Sequence, residues 1–402
     1  MWVRTQLKIG FADLAIGYLA SLRGLDRSRE AALAESYFGT NDTLAAYSVR
    51  SGLDLLLQAT KLAPGDEVIF TALNVKGMVK VVKEHGLVPV PVDLDFETMA
   101  AKKGALARAI TSRSKIFIAA HLFGARMNFD DDFHLARRHK LLVVEDCAQA
   151  FNGQSYRGHP SADVSMFSFG PIKTATALGG ALIRVHDKDL RTRMSAIQDS
   201  YPIQPEAKHR KRILQFMALK LVTSRALLGL IYRYYRMRGR DYDDAIADKV
   251  RDVAPLRVKS NLRFQSSATM LHLLNRRLTK FDLSEIEKRA ERGRYLTERL
   301  KGIVRMPALA NAHHDFWGFA MVVANPRDFI AVLRGKGFDA ATLNRSQHIA
   351  APPDRPQQEP VTAAAAMRGI VVLPCYPPMP DHDLDLLAET IADLSKGPVV
   401  LP

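Results

Sequence analysis

Two residues of this chain are placed to do chemistry together, an aspartate and a lysine, each just past an apolar run. In "LLVVEDCAQA" (141–150), Glu145 and Asp146 close a strand-like stretch. Consecutive strand residues face opposite ways, so these two carboxylates cannot share one task. In "SMFSFGPIKTATALGGALIRV" (165–185), Lys173 is the only charged residue before Arg184, set between an apolar run and the pair Gly179-Gly180. A buried carboxylate calls for a cationic partner. A lysine in a dry site sheds its proton and serves as nucleophile and then as base. A strand-end Asp146 followed twenty-seven residues later by Lys173 suits pyridoxal phosphate (PLP). Lys173 would form the Schiff base, and Asp146 would keep the ring nitrogen protonated so that the ring draws off electrons.

The phosphate of such a cofactor needs a cradle. "RSGLDLLLQA" offers one: a strand, a Ser51-Gly52 turn, then a helix N-terminus whose free N–H groups favour an anion. Ser168, before the lysine, adds a hydroxyl, and Gly179-Gly180 allow a tight turn behind it. Taken singly, Ser-Gly before a helix is an ordinary N-cap; the order and spacing of the whole set carry the reading.

With these motifs in view, the chain resembles the DegT/StrS family of PLP-dependent sugar aminotransferases, within the fold-type I aspartate aminotransferase superfamily. The similarity covers roughly 40–200 and 259–395, through "RSGLDLLLQATKLAPGDEVIF", "GLVPVPVDLDFETM", "AAHLFG", "LLVVEDCAQAFNGQSYRGHP", "SADVSMFSFGPIK", "LGGALI" and "SNLRFQSSATMLHLL". The resemblance assigns Asp146 to the pyridine nitrogen, Gln149 to the ring hydroxyl oxygen, Ser168 to the phosphate and Lys173 to the covalent bond. It implies that Asn261 reaches the phosphate of a neighbouring subunit, hence a homodimer with shared active sites. The chain departs from the pattern at Leu53, where the family has a phosphate-binding Thr. It departs again at Val75, where the family stacks an aromatic on the ring, and at Gly170-Pro171-Ile172 before the lysine. Cys147 stands where Ala is common. The implied reaction moves an amino group from an amino acid, glutamate by family habit, to a keto-sugar that is nucleotide-linked, in envelope glycan or polysaccharide synthesis.

The elements that must position these residues follow from periodicity. Strand-like runs at 44–51, 66–70, 87–93, 115–121, 141–148, 164–169 and 180–186 alternate with amphipathic stretches at helical spacing. That alternation predicts an α/β fold with a mostly parallel sheet flanked by helices, whose strand carboxyl ends build the site. The expected organisation is an N-terminal helical segment (1–43), a large PLP-binding domain (44–204), a basic helical insertion (205–258), and a connecting helix with a smaller α+β domain (259–402). The opening "MWVRTQLKIGFADLAIGYLASLRG" looks a little like a signal peptide, but Asp13 interrupts it and it reads as a helix of the mature protein.

The net charge of the 402 residues is +15. Residues 207–240 hold ten Lys/Arg and no Asp/Glu; without them 47 basic residues face 42 acidic ones, a balance of +5. The basicity belongs to one segment and gives no reason to expect nucleic acid. That segment, with Ile213, Phe216, Leu221, Leu227, Leu230 and three tyrosines, supports three readings: an interfacial helix on anionic lipid, a helical hairpin packed over the site or a partner, or a cap in which Arg210, Lys211 and Arg212 meet a nucleotide diphosphate. Two distant cysteines give neither a disulfide framework nor a zinc pattern, which fits a cytoplasmic protein, with possible peripheral contact at the inner face of the membrane. Adjacent His313 and His314 in "HHDFW" would point opposite ways on a strand edge of the small domain, and no metal is expected there. Two alternatives stay open: a PLP enzyme acting on a non-sugar carbonyl or lipid precursor, and a non-catalytic, membrane-associated regulatory protein on the same fold.

Overall fold

The computed structural model describes residues 1–238 and 261–395; residues 239–258 of the expected insertion lie outside the described residues. Helices α1 (Phe11–Ala20) and α2 (Arg27–Glu35) precede strand β1 (Thr43–Ala46) and helix α3 (Val49–Thr60). Then come β2 (Glu67–Thr71), β3 (Leu73–Val75), α4 (Lys76–Glu84), β4 (Val88–Val92), α5 (Ala105–Ala109), β5 (Ser114–Ala120), β6 (Ala125–Arg126) and α6 (Asp130–Arg138). Strands β7 (Leu142–Asp146), β8 (Val164–Ser168) and β9 (Ala181–Val185) lead into α7 (Lys188–Asp199), α8 (Glu206–Val222) and α9 (Arg225–Met237). The remainder comprises α10 (Ala268–Thr279), α11 (Ser284–Leu300), β10 (His313–His314), β11 (Phe319–Val322), α12 (Pro326–Gly335), β12 (Ala341–Thr342), β13 (Ser346–His348), α13 (Val361–Gly369), β14 (Ile370–Leu373) and α14 (Asp381–Ser395).

Seven strands form the central sheet in the order β1-β9-β8-β7-β5-β2-β4. Strand β9 runs antiparallel to both its neighbours, and the other pairings are parallel. This is the expected α/β architecture. The middles of β2 (Val68 to Phe70) and β5 (Ile116 to Ala120) are apolar without alternation because parallel strands are covered on both faces. Leu53, Leu56, Val81 and Met194 of α3, α4 and α7 pack one face; Phe133 of α6, with Phe129, Ala363 and Ala366, packs the other. The expected strand 44–51 proves to be two elements. β1 stops at Ala46, and Ser48 then caps α3 by accepting the Ser51 N–H at 3.1 Å.

The smaller lobe is built on the antiparallel sheet β11-β14-β12, with Leu296, Met321, Phe338, Leu387 and Ile391 in its core. The first residues of the chain join it: Trp2 bridges to Phe338, and Arg4 pairs with Asp339 at 2.6 Å. The stretch expected as one long helical region over 259–300 holds two separate helices among its described residues, α10 and α11. In the basic segment, α8 packs on α1 through fully buried Ile213 at Gly17. Helix α9 leaves Leu227, Leu230 and Met237 exposed. Among the described residues no single helix is long and apolar enough to cross a membrane; α8 and α9 reach that length and composition only as a pair bent by 78°.

The segment expected as a small-lobe strand edge does something else. β10 pairs with β6 of the large lobe, His314 opposite Ala125, and Asp315 N–H donates to the Gly124 carbonyl at 2.9 Å. Gly124 has φ +91°, and a Cβ there would stand 2.9 Å from Trp317 Cβ and closer still to the Trp317 nitrogen and an Asp315 carboxylate oxygen. Only glycine satisfies both the backbone angle and the approach. Gly124→Ala is therefore expected to lower unfolding stability by about 3 kcal/mol, read as a shifted midpoint in urea denaturation; a change under about 0.5 kcal/mol would show that the lobes do not depend on this contact.

Candidate active site

Asp146 is the last residue of β7, at the carboxyl edge of the sheet, and is only 6% exposed. Its Oδ1 accepts the Ala148 N–H at 2.9 Å. Burial pushes its ionisation up, and the strongest opposing charge is that of Lys173. Lys173 lies in the connection from β8 to β9, where its N–H donates to the Gly170 carbonyl at 3.0 Å. Burial brings its amine down to about 8, against a pull upward from Asp146. The two residues chosen from the sequence are thus coupled, each desolvated and each the other's counter-charge.

Glu145 turns to the opposite side, as strand alternation requires. Its buried carboxylate accepts from His121 Nε2 at 2.8 Å, Ser165 Oγ at 2.8 Å, His159 N at 2.8 Å, and the Tyr156 hydroxyl. Burial alone would raise this carboxyl; the hydrogen bonds, that of His121 first, outweigh it and hold it at about 2. His121 Nδ1 accepts the Met127 N–H at 3.1 Å, so Nε2 carries the ring proton towards Glu145. The His121 backbone N–H donates to the Asp146 carbonyl at 3.1 Å. This network fixes the end of β7 from behind. Cys147, with Sγ in reach of the same group, completes a cluster of ligand-type atoms within 4.8 Å of one another, but the Glu145 oxygens and both His121 nitrogens are already engaged.

Gln149 accepts the Phe123 N–H on Oε1 at 2.7 Å, which leaves its Nε2 as the donor end of the side chain. Ser168 ends β8 on the same edge as Asp146, its hydroxyl 3.5 Å from the Gly170 nitrogen. Gly180, at φ +86°, donates to the Tyr47 carbonyl at 3.0 Å and turns the chain back into β9. Val75 ends β3 and forms the N-cap of α4.

The phosphate cradle needs correction. Because α3 starts at Val49, Ser51 and Gly52 lie inside its first turn instead of before it. The Ser51 hydroxyl donates to the Leu262 carbonyl at 2.8 Å, and the Gly52 N–H to the Ser48 carbonyl at 2.9 Å. Gly52 serves packing, since a Cβ there would stand 2.6 Å from Ile183 Cδ1. The open N–H groups of this helix belong to Val49 and Arg50. The same Ser51–Leu262 bond places the backbone next to Asn261 at the first turn of α3.

Sequence reading missed the roof of the site. Trp317, from the turn after β10, places its ring 4.5 Å from Lys173 Nζ and donates from Nε1 to the Ile172 carbonyl at 3.1 Å. Arg289 of α11 holds that turn through the Asp315 carbonyl at 2.7 Å and its carboxylate at 2.9 Å. A narrow cleft lies beside the lysine between Arg4, Lys8, Ile172, Thr174, Arg289 and Trp317. Lys8 there is brought down to about 8 by burial and by Arg289. The tryptophan in "HHDFW" was the available signal, but nothing local tied it to a lysine so distant in the chain.

The profile of the DegT/DnrJ/EryC1/StrS aminotransferase family matches residues 27–392. Among curated relatives, the chain is 36% identical over 165 residues to a GDP-perosamine synthase of Caulobacter vibrioides, covering 40% of this chain and 44% of that protein. It is 30% identical over 175 residues to a UDP-4-amino-4-deoxy-L-arabinose–oxoglutarate aminotransferase of Shewanella sediminis, covering 42% and 45%. These matches span less than half the length of either relative. Helicobacter pylori PseC, an aminotransferase of pseudoaminic acid biosynthesis, superimposes with a TM-score of 0.70 over 98% of both chains at 16% identity, a likeness of fold.

The network behind β7 has a measurable consequence. A carboxylate held at about 2, against an ordinary 4.5, adds stability above its unfolded value and loses it as pH falls from about 4.5 towards 2. Glu145→Gln is expected to cost about 2–3 kcal/mol at pH 7, and the difference from wild type should shrink as pH drops through that window. Equal melting temperatures at pH 7 would contradict the assignment.

Proposed function

Because the chain belongs to the DegT/DnrJ/EryC1/StrS aminotransferase family, we propose that it is a PLP-dependent aminotransferase that carries an amino group from an acidic amino acid to a nucleotide-linked keto-sugar. The observation that carries this reading is the desolvated pair of Asp146 and Lys173 under Trp317, with the lysine amine brought to about 8. The donor set fits the cofactor: a buried carboxylate whose Oδ1 alone is committed, to Ala148, for the ring nitrogen; Gln149 Nε2 for the ring hydroxyl oxygen; the Ser168 hydroxyl and the first turn of α3 for the phosphate; and Lys173 for the covalent bond.

When bound, PLP supplies the electron sink that makes the Cα proton of the donor removable. The chain's own residues supply the rest. Asp146, deprived of water, stays charged only opposite a cation and so holds a proton on the ring nitrogen. Lys173 Nζ, freed by the donor, takes a proton at neutral pH and returns it, because burial favours its uncharged form between transfers. The His121–Glu145 network keeps β7 from shifting, and Trp317 closes the lysine from solvent. Lys8 beside the cleft, only loosely paired with Glu285 at 3.9 Å, favours a donor with a second carboxylate, such as glutamate. The GDP- and UDP-linked amino sugars in the names of the relatives support a nucleotide-linked acceptor. The same architecture admits other carbonyl acceptors, motivated by Leu53 and Val75.

The test is amine transfer from glutamate to a panel of nucleotide-linked keto-sugars and unrelated carbonyls, with product read by mass spectrometry. Lys173→Ala is expected to abolish turnover. Asp146→Asn should lower kcat by about 10³-fold or more, the loss of one preorganised charge. Turnover by the Lys173→Ala protein would end the reading; activity confined to non-sugar carbonyls would replace its acceptor.

A further inference from the structure

At the head of α4, which opens with Lys76, the Arg50 and Arg345 guanidiniums crowd each other with no carboxylate paired to either among the described residues. Arg50, in the first turn of α3, lays its side chain along Gly77: a Cβ on Gly77 would stand 2.7 Å from Arg50 Cδ and 3.4 Å from its Nη1. Lys76 opens α4 and gives its backbone N–H to the Arg345 carbonyl at 3.0 Å. Ser346, next to Arg345, pairs with Val75, so Arg345 is fixed at the same place. The ionisation of Arg50 is pushed down by burial and then by the guanidiniums of Arg345 and Arg212. Elsewhere in the large lobe, half-buried arginines meet acids: Arg263 meets Asp54 at 3.0 Å and Arg184 meets Asp42 at 2.6 Å. Among the described residues, Arg50, Lys76 and Arg345 have no such partner. Desolvating and crowding like charges is unfavourable unless an anion joins them.

A second observation points the same way. Asn74, 3% exposed, turns its Oδ1 to the Val75 N–H at 2.7 Å, and its Nδ2 meets no acceptor. Helix α4 also starts without a side-chain cap, leaving first-turn N–H groups unclaimed. Apart from the Tyr47 hydroxyl, which pulls the ionisation of Arg50 upward, the groups placed here are donors: guanidinium, amide and backbone N–H. Such a set matches the oxygens of a phosphate. It lies past the carboxyl end of β2, on the sheet edge that carries Asp146 and Ser168.

We propose that Arg50, Lys76 and Arg345, with Asn74 and the first turn of α4, form a phosphate-binding subsite of the candidate active site. The inference rests on the aminotransferase reading and deepens it. The phosphate has two possible sources, the diphosphate of a nucleotide-linked sugar or the 5′-phosphate of the cofactor. For the latter, Arg50 would stand in for the hydroxyl lost at Leu53, which is fully buried in the core.

The experiment compares wild type, Arg50→Gln, Arg345→Gln and the exposed control Lys103→Gln. Calorimetry measures pyrophosphate binding to protein with and without PLP, and absorbance measures affinity for PLP and for pyridoxal, which lacks the phosphate. Both arginine variants are expected to weaken one phosphate ligand by about tenfold, the effect of one charge-assisted contact, with the control unchanged. Loss of pyrophosphate with PLP affinity intact assigns the subsite to the substrate. Loss of PLP with pyridoxal affinity intact assigns it to the cofactor. Unchanged affinity for both ligands in both variants overturns the proposal. Arg345 is exposed, so its variant carries the test if Arg50→Gln fails to fold. The pyrophosphate arm on unloaded protein stands even if wild type takes up no PLP, which separates failure of the subsite from failure of the aminotransferase reading.

Discussion

The candidate site depends on one half-buried amine set opposite a buried carboxylate. A lysine buried beside a carboxylate is costly as a lone cation and reactive as a free amine. Everything around Lys173 serves to hold it in that state. Asp146 supplies the opposing charge, the Gly170 carbonyl accepts the lysine's backbone N–H, and the Trp317 ring lies 4.5 Å from its Nζ. Relieving any one of these would let the amine return to water and to an ordinary lysine's ionisation.

The second constraint is that the cover and the lysine belong to different lobes. Trp317 reaches the site because β10 pairs with β6 and because Gly124 lets the 315–317 turn press against the chain. Arg289 then ties that turn to the Lys173 loop, donating to Thr174 at 3.4 Å. The small lobe therefore contributes to the candidate site, and the cleft beside Lys8 and Arg289 forms along the same seam. On the other side of β7, the Glu145 network gives Asp146 a fixed backbone.

Much of this was legible in the sequence where local rules govern. Asp146 and Lys173 stand out because a charge ending an apolar strand has few structural explanations, and alternation along β7 separated Glu145 from Asp146 before any coordinates. The sheet followed from apolar runs that parallel burial requires. The start of α3 was misread because "YSVRSGL" offers two serines able to cap a helix, and only the end of β1 at Ala46 selects Ser48. Trp317 and Arg289 were invisible for another reason: their contacts with the Lys173 loop, at Ile172 and Thr174, cross more than a hundred residues, and no periodicity encodes such a contact. The donor cluster at α4 is also non-local, since Arg50, Lys76 and Arg345 come from three separate stretches.

The measurement that bears most directly on the buried amine is the pH dependence of PLP uptake by the unloaded protein, followed by the visible colour that forms when an amine captures the aldehyde. Lys173 brought to about 8 should give an uptake rate that climbs with pH and levels above about 8, and Lys173→Ala should stay colourless. A rate still climbing past pH 10, as for an ordinary surface lysine, or equal colour in the variant, would contradict the account.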